Sequence, residues 1–142
     1  HAADRLDHID TVVRPAMEAG VHVVSDRYVA SSMAYQGAVL PQEFVQRINA
    51  RAMGPDITFF LRMPAGLALE RVRMRQGATR ELYETPEFLA DVTERYDLLL
   101  AEGSLTNPSV IDGRQSIEDI AQLVDKSVHA LIEERSPARL EP

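Results

Sequence analysis

The sequence predicts an α/β fold in which a parallel sheet carries helices on both faces. Three short apolar runs have the length and β-branched content of buried strands: VHVVS at 21–25, DITFFLRM at 56–63 and PSVID at 108–112. The stretches between them repeat apolar residues at the three- and four-residue steps of amphipathic helices. Because parallel neighbours need a crossover connection, this alternation indicates a parallel sheet, with ligands bound beyond the carboxyl ends of its strands.

The helices are predicted in chain order at 2–17, 31–36, 41–53, 65–75, 86–100 and 117–131. Gly20 follows the first helix, where a helix end favours glycine, and Pro64 opens the fourth at a position that tolerates proline. Ser116 and Asp119 have the spacing of a capping box before the last helix.

The chain has the size of one domain. Its 142 residues suffice for a single core, since domains cluster near roughly 100 to 150 residues. We expect one domain at 1–135 and a flexible tail at 136–142. The polar stretch at 76–85 lacks a clean period and predicts a mobile loop.

Composition and charge exclude several classes of function. The net charge of -7 disfavours nonspecific binding to DNA or RNA, which needs a basic face. Without cysteine, neither disulfides nor zinc–cysteine sites can form. No apolar run approaches the roughly 20 residues that span a bilayer. We therefore expect a cytoplasmic protein that binds neither nucleic acid nor membranes.

Polar side chains follow the first predicted strand, at the edge where ligands bind. Asp26 and Arg27 come directly after it. Arginine offers a planar fork of donors suited to phosphate, and an adjacent carboxylate can orient that fork or hold a hydrated magnesium ion. The alternative is an ion pair that merely ends the strand.

A second group of basic residues lies in ERVRMRQGATRELYE. Arg71, Arg73 and Arg75 end a helix, and Arg80 follows in the loop. Residues two apart do not share a helix face, so these arginines point in different directions. Loop arginines can close over a transferring phosphoryl group and stabilise its charge. A solvated surface paired with nearby glutamates is the alternative interpretation.

Taken together, these segments resemble the thymidylate kinase family. The matching segments are HAADRLDHIDTVVRPAMEAG, VVSDRYVASSMAYQG, PDITFFLRMPAGLALERVRMR, RELYETPEFLADVTERY and VIDGRQSIEDI. They occur in the family's order, at about its spacing, over nearly the whole chain. The resemblance implies the P-loop NTPase-like fold of nucleoside monophosphate kinases. It also implies transfer of the γ-phosphoryl group of ATP, with Mg²⁺, to dTMP, a step of dTTP biosynthesis.

The resemblance implies an acceptor site formed by His1, Arg5, Arg27, Ser32, Tyr35, Gln36 and Tyr83. In the family, the arginine matched by Arg5 reaches the thymine, and His1 stands where a phenylalanine usually stacks on the base. Arg27 matches the arginine that holds the acceptor phosphate, and Asp26 the acid that supports the phosphate and, indirectly, the metal. Tyr35 matches the residue that crowds a ribose 2′-hydroxyl.

The resemblance also implies a donor site and a set of catalytic residues. The ATP-binding residues would be Arg71, Arg75, Asp112, Gly113 and Arg114. The catalytic residues would be Asp26, Arg27, Arg75 and Arg80.

The phosphate loop of such kinases is not present in these residues. The seven glycines form no G-x-x-x-x-G-K pattern, whose backbone N–H groups and lysine surround the donor phosphates. We therefore expect a fragment that supplies the acceptor site and the lid, lacks the N-terminal strand and P-loop, and is inactive alone. A noncatalytic nucleotide-binding or dimerisation remnant is the main alternative, and a deoxynucleoside kinase is a weaker one.

The family also forms homodimers. The apolar stripe of the helix at 2–17 is a candidate dimer surface, and packing of this stripe inside the subunit is the other possibility.

Overall fold

The computed structural model describes residues 2–76 and 85–135, without the side chains of residues 72, 73, 75 and 76. In chain order its elements are α1 (Ala2–His8), a π-helical turn (Ile9–Val13), α2 (Arg14–Glu18), α3 (Val29–Gly37), α4 (Gln42–Asn49), β1 (Thr58–Arg62), α5 (Ala65–Gln76), α6 (Pro86–Ala101), β2 (Pro108–Asp112) and α7 (Ile117–Arg135). The fold is thus mixed α/β, with helices in the majority. The predicted loop at 76–85 and tail at 136–142 fall mostly outside the described residues.

The sheet consists of two parallel strands in the described part of the chain. Thr58 pairs with Pro108 and Arg62 with Asp112, so the carboxyl ends of β1 and β2 lie side by side. Helices α5 and α6 form the crossover between the strands, as parallel pairing requires. The parallel arrangement and the bounds of β2 confirm the sequence prediction, while β1 is shorter than the predicted run at 56–63.

The prediction of a buried strand at 21–25 is wrong. This segment forms no ladder with any described residue, and Val21, Val23 and Val24 are exposed, Val24 to 96%. A strand needs a neighbour whose N–H and C=O groups complete the ladder, and apolar composition alone supplies none. Residues 21–25 therefore run as an unpaired segment between α2 and the bend at Asp26 and Arg27.

The first helical stretch is not the single helix predicted at 2–17, because a π-helical turn interrupts it, but it does end at Gly20 as predicted. The π-helical turn directly precedes α2, whose second residue, Pro15, has no N–H to continue the regular helical pattern. Gly20 adopts a φ of 78°, and its N–H donates to the Met17 carbonyl at 2.9 Å. Val21 donates to the Ala16 carbonyl at 2.9 Å, which completes a Schellman motif.

Two further helices begin at capping side chains. The Thr85 hydroxyl accepts the Phe88 N–H at 3.2 Å and starts α6. The Ser116 hydroxyl accepts the Asp119 N–H at 3.0 Å and donates to the Asp119 carboxylate at 2.7 Å, so Ser116 caps α7 as predicted. The start of α3 is two residues earlier than expected, and α4 ends at Asn49, four residues before the predicted end.

The core lies where α3, α4 and α6 pack together. Its buried residues are Met33, Ala34, Val45, Val92, Leu99 and Leu105. Ala34 and Val45 are completely buried, and burial of each aliphatic side chain such as Leu99 contributes about 1.5–3 kcal/mol. This packing fixes α3 against α6 and so fixes the side chains that both helices present to the site. None of the helices in the described ranges is long and apolar enough to cross a bilayer.

Candidate functional site

Asp26 and Arg27 form the bend that leads into α3. Both are exposed, and the Ser25 hydroxyl donates to the Arg27 carbonyl oxygen at 2.9 Å. Arg27 has a φ of 63°, in the left-handed region that costs a non-glycine residue about 1–2 kcal/mol. Backbone strain of this kind is concentrated at ligand-binding and catalytic sites. Its occurrence here coincides with the residue that the sequence assigns to phosphate.

The Arg27 guanidinium packs on an aromatic ring of α3. Its central carbon lies 5.0 Å from the centroid of Tyr35, within the range of a cation–π contact. The Tyr35 ring in turn meets Phe88 of α6, with centroids 6.0 Å apart and planes inclined at 57°. This tilted aromatic pair holds Tyr35, and with it the direction of the guanidinium.

Tyr96 of α6 connects α3 to the sheet. Its ring stacks on Phe60 of β1, with centroids 5.1 Å apart, and its hydroxyl forms a hydrogen bond with Ser31. Burial raises the pKa of Tyr96 above the usual value, and the Ser31 hydrogen bond and the positive charge of Arg27 offset part of this effect. Tyr96 therefore stays a neutral hydrogen-bonding group at physiological pH.

Arg5 of α1 reaches a second residue of α3, Ser32, three positions before Tyr35. Its Nη1 donates to the Asn49 side-chain oxygen and its Nη2 donates to the Ser32 hydroxyl at 2.7 Å. The guanidinium carbon lies 5.2 Å from the centroid of the Tyr28 ring. Arg5 is thus fixed by two hydrogen bonds and one aromatic face, contributed by residues distant in sequence.

Tyr28 also sits in a partly desolvated position. Burial raises its pKa, while the charge of Arg5 and a hydrogen bond with the Met53 backbone act in the opposite direction. Its ring contacts the Arg5 guanidinium and its hydroxyl bonds to the Met53 backbone, so the position of the ring beside Arg5 is fixed.

The structure brings together four residues assigned to the acceptor site from sequence. They form two direct pairs on α3, Arg5 with Ser32 and Arg27 with Tyr35. Gln36 lies next to Tyr35 in α3 and is half-buried. His1, Arg80, Tyr83 and the side chain of Arg75 lie outside the described part of the structure.

Four residues that make these contacts were not predicted from the sequence: Tyr28, Asn49, Phe88 and Tyr96. Asn49 could have been found, because it lies four residues after the buried Val45 and therefore on the apolar face of α4. A polar residue on a buried face requires a partner. No comparable pattern distinguishes Phe88 and Tyr96 from ordinary core residues.

A second cluster forms where β2 ends. The Arg114 side chain donates to both oxygens of Asp112, at 2.9, 3.1 and 2.7 Å, and the Arg114 N–H adds a bond of 2.9 Å. These hydrogen bonds lower the pKa of Asp112 to about 2. Arg71 of α5 donates from Nη1 to the Gly113 carbonyl at 3.0 Å. Four of the five predicted ATP-binding residues are therefore adjacent in space.

Gly113 fixes this loop closely against β1. Its N–H donates to the Arg62 carbonyl at 2.8 Å, and a Cβ on residue 113 would lie 3.2 Å from that oxygen and 3.1 Å from the Met63 side chain. Only glycine allows this approach without displacement of a neighbour. The loop is thereby held at the carboxyl edge of the sheet, where such folds bind ligands.

A surface cavity of about 560 Å³ opens at the amino ends of β1 and β2, beside the end of α7. An ion pair between Arg135 and Asp56 lies at its rim. Parallel sheets bind ligands at the opposite, carboxyl edge, where the loop after β2 lies. The two arginine clusters, and not this cavity, are therefore the candidate site.

Known proteins are similar to nearly the whole of this chain. The sequence model of the thymidylate kinase family matches residues 1–124. A "Probable thymidylate kinase" of Pyrobaculum aerophilum is 37% identical over 132 residues, which are 92% of this chain and 66% of that protein. The corresponding protein of Natronomonas pharaonis is 36% identical over 139 residues, 93% of this chain and 68% of the relative.

A bacterial relative gives the same result. The "Thymidylate kinase" of Synechococcus sp. is 32% identical over 140 residues, 94% of this chain and 64% of that protein. The chain therefore spans about two thirds of the length of these curated relatives. With the family model covering most of the chain, these similarities establish that the chain belongs to the thymidylate kinase family.

Proposed function

We propose that the protein carrying this chain transfers the γ-phosphoryl group of ATP to dTMP, giving dTDP and ADP. The observation that carries this proposal is the pair of guanidinium groups held against side chains of α3. Arg27 lies on Tyr35 at the bend after 21–25, and Arg5 is fixed by Ser32 and Asn49. One cation is exposed and suited to a phosphate; the other is fixed and suited to a base edge.

The acceptor nucleotide would bind along α3. Arg27 would hold its phosphate, because a guanidinium donates two parallel hydrogen bonds to phosphate oxygens. Arg5 and Ser32 would meet the base, and Tyr35 the deoxyribose. The family role of Gln36 at the base is consistent with its position beside Tyr35. His1 and Tyr83 belong to this proposal through the family resemblance alone.

The donor nucleotide would lie over the loop that follows β2. Asp112 holds the Arg114 guanidinium in a fixed plane, and such a plane can stack on an adenine ring. Arg71 stabilises the loop through the Gly113 carbonyl. Arg75 and Arg80 are proposed to stabilise the charge of the transferring phosphoryl group, because catalysis of this reaction is mostly positioning and electrostatics.

The residues of this chain fit a magnesium ion that is bound mainly by nucleotide phosphates. Mg²⁺ in such sites uses one or two carboxylates, phosphate oxygens and water. The exposed Asp26 carboxylate beside Arg27 could supply one contact, directly or through water. No group of three or more potential metal-ligating side chains occurs among the described residues, so a preformed protein cage is not part of the proposal. When bound, the ion would neutralise charge on the donor phosphates.

The phosphate loop would come from a segment outside these 142 residues. The chain contains no G-x-x-x-x-G-K pattern, and it spans about two thirds of the length of its relatives. We therefore propose that the chain alone binds dTMP but transfers no phosphate at a useful rate. The missing pattern also favours the second candidate, a noncatalytic nucleotide-binding or dimerisation module.

Homodimer formation remains a family-based proposal. The central residue of the apolar stripe, Ile9, is only 3% exposed within one subunit, whereas Val12 and Met17 of the same helical stretch are more than 40% exposed. This burial favours packing of the stripe inside the subunit, so a dimer surface on this stretch would involve the Val12 side.

Calorimetry and a coupled assay of ADP formation test the proposal. The protein that carries the chain should phosphorylate dTMP in the presence of ATP and Mg²⁺ and should not phosphorylate thymidine. Activity on thymidine in preference to dTMP would support a deoxynucleoside kinase instead. Binding of dTMP without turnover would support the noncatalytic module, and binding of neither nucleotide would contradict both nucleotide-based proposals.

A further inference from the structure

Asn49 is a buried polar residue beside the proposed acceptor site. It is 6% exposed and lies at the end of α4, and Ser32 on α3 is 8% exposed. They are the two buried polar side chains found among the described residues. Both accept hydrogen bonds from the same guanidinium, that of Arg5.

The orientation of the Asn49 amide is determined by its other contact. Its Nδ2 group donates to the Val45 carbonyl at 2.8 Å. Since an amide has a donor nitrogen on one side and an acceptor oxygen on the other, this bond directs Oδ1 toward Arg5. The amide thus uses its donor side within α4 and its acceptor side on a residue 44 positions away.

The consequence for Arg5 is a guanidinium with little freedom to turn. One terminal nitrogen binds Asn49, the other binds Ser32, and the Tyr28 ring covers a face at 5.2 Å. A guanidinium has five N–H donors and no acceptor, so these two bonds leave three donors for a ligand. Arg5 is only half-buried, which leaves part of it accessible.

We infer that Asn49 is a positioning residue that sets base selectivity through Arg5; this inference rests on the proposed function. A fixed group that can only donate favours a base with a carbonyl at the pyrimidine 4-position. It disfavours cytosine, which has a 4-amino donor at that position. A site built to hydrogen-bond one group rejects the analogue that leaves its polar groups unpaired.

Asn49→Ala removes the acceptor while Arg5 and Ser32 remain. In the protein that carries the chain, kcat/KM for dTMP should fall about tenfold or more, mainly through KM, because a mobile Arg5 binds the base less well. The value for dUMP, which keeps the 4-carbonyl, should fall in parallel. The kcat/KM for dCMP should change little, so the ratio of kcat/KM for dTMP to that for dCMP should fall about tenfold.

Two matched variants complete the experiment. Asn49→Asp keeps a side-chain oxygen for Arg5 and should restore most of the dTMP/dCMP ratio. Gln46→Ala removes an exposed amide from the same helix and should leave kcat/KM unchanged for all three substrates. The ratio is independent of the folded fraction, because partial unfolding lowers the rate with every substrate equally.

The outcomes separate this inference from the function on which it rests. If the wild-type protein phosphorylates dTMP but Asn49→Ala leaves the dTMP/dCMP ratio of kcat/KM values unchanged, the positioning role alone is overturned. Equal losses on dTMP, dUMP and dCMP also overturn it, since they indicate a structural role. Failure of the wild-type protein both to bind and to phosphorylate dTMP overturns the proposed function and this inference together.

Discussion

The guanidinium carbon of Arg27 lies 5.0 Å from the centre of the Tyr35 ring. This contact joins the residue proposed to hold the phosphate to the residue proposed to meet the sugar. Tyr35 is itself packed against Phe88 of α6. If both proposed roles hold, a change at Tyr35 should affect phosphate binding as well as sugar selectivity.

Replacement of Arg27 tests the phosphate contact. Loss of a charge-assisted hydrogen bond to the acceptor phosphate should cost about 2–4 kcal/mol, so Arg27→Ala should lower kcat/KM for dTMP by about 30- to 1,000-fold. Steady-state assays in the protein that carries the chain measure this. Arg47→Ala, which removes an exposed arginine from α4, should retain wild-type activity. Equal activity of Arg27→Ala and Arg47→Ala would remove Arg27 from the site.

The left-handed backbone of Arg27 gives a separate prediction about stability. Because glycine tolerates a φ of 63° and alanine does not, Arg27→Gly should be about 1 kcal/mol more stable to denaturant than Arg27→Ala. Both variants should show similarly lowered activity on dTMP. Urea unfolding of the two proteins measures the difference. Equal midpoints would indicate that residue 27 carries no backbone strain.

Replacement of Tyr35 tests sugar selectivity. Tyr35→Ala should lower the preference for the deoxyribonucleotide over the ribonucleotide, because the ring is proposed to crowd a 2′-hydroxyl. It should also weaken phosphate binding, since Arg27 loses the surface on which it packs. Tyr35→Phe keeps the ring and should retain the preference. Competition assays with both nucleotides decide the matter, and an unchanged preference in Tyr35→Ala would exclude the sugar contact.

The loop after β2 gives a prediction about pH. The pKa of Asp112 is lowered to about 2 by Arg114, so the carboxylate should remain ionised until the pH approaches 2. A lowered pKa means that this pairing contributes fully above the ordinary value near 4 and is lost as the pH falls toward 2. Carbon-detected NMR titration measures the midpoint. In Arg114→Ala the midpoint should rise toward the ordinary value, and an equal midpoint in both proteins would contradict the pairing.

The capping box of α7 gives a prediction independent of function. Ser116→Ala removes the acceptor for the Asp119 N–H and should cost about 1 kcal/mol of unfolding free energy. Ser127→Ala is the matched control within the same helix, where the hydroxyl bonds back to the Leu123 carbonyl at 2.9 Å. Loss of such a bond should leave the free energy of unfolding unchanged or raise it slightly. Thermal unfolding compares the two variants.

Local signals in the sequence predicted the structure where a single segment determines its own conformation. The capping box at Ser116, the Schellman glycine at Gly20 and the bounds of β2 are examples, and all are confirmed. The segment 21–25 could not be predicted in this way, because an apolar run becomes a strand only when another backbone pairs with it.

The candidate site shows the same limit. The family resemblance identified Arg5, Arg27, Ser32 and Tyr35, which the structure places in two direct contacts on α3. It did not identify Asn49, whose significance depends on a contact with a residue 44 positions away. Such a contact between residues of α1 and α4 depends on the tertiary arrangement and has no local sequence pattern.

Arginine side-chain NMR tests the central claim most directly, namely that of the two guanidinium groups held against α3, Arg27 binds a phosphate and Arg5 binds a base. The Nε–H signals of Arg5 and Arg27 would be followed in the protein that carries the chain during titration with dTMP and then with thymidine. The account predicts that dTMP shifts both signals, whereas thymidine shifts that of Arg5 and leaves that of Arg27 in place. Unchanged signals of both arginines at saturating dTMP would contradict it.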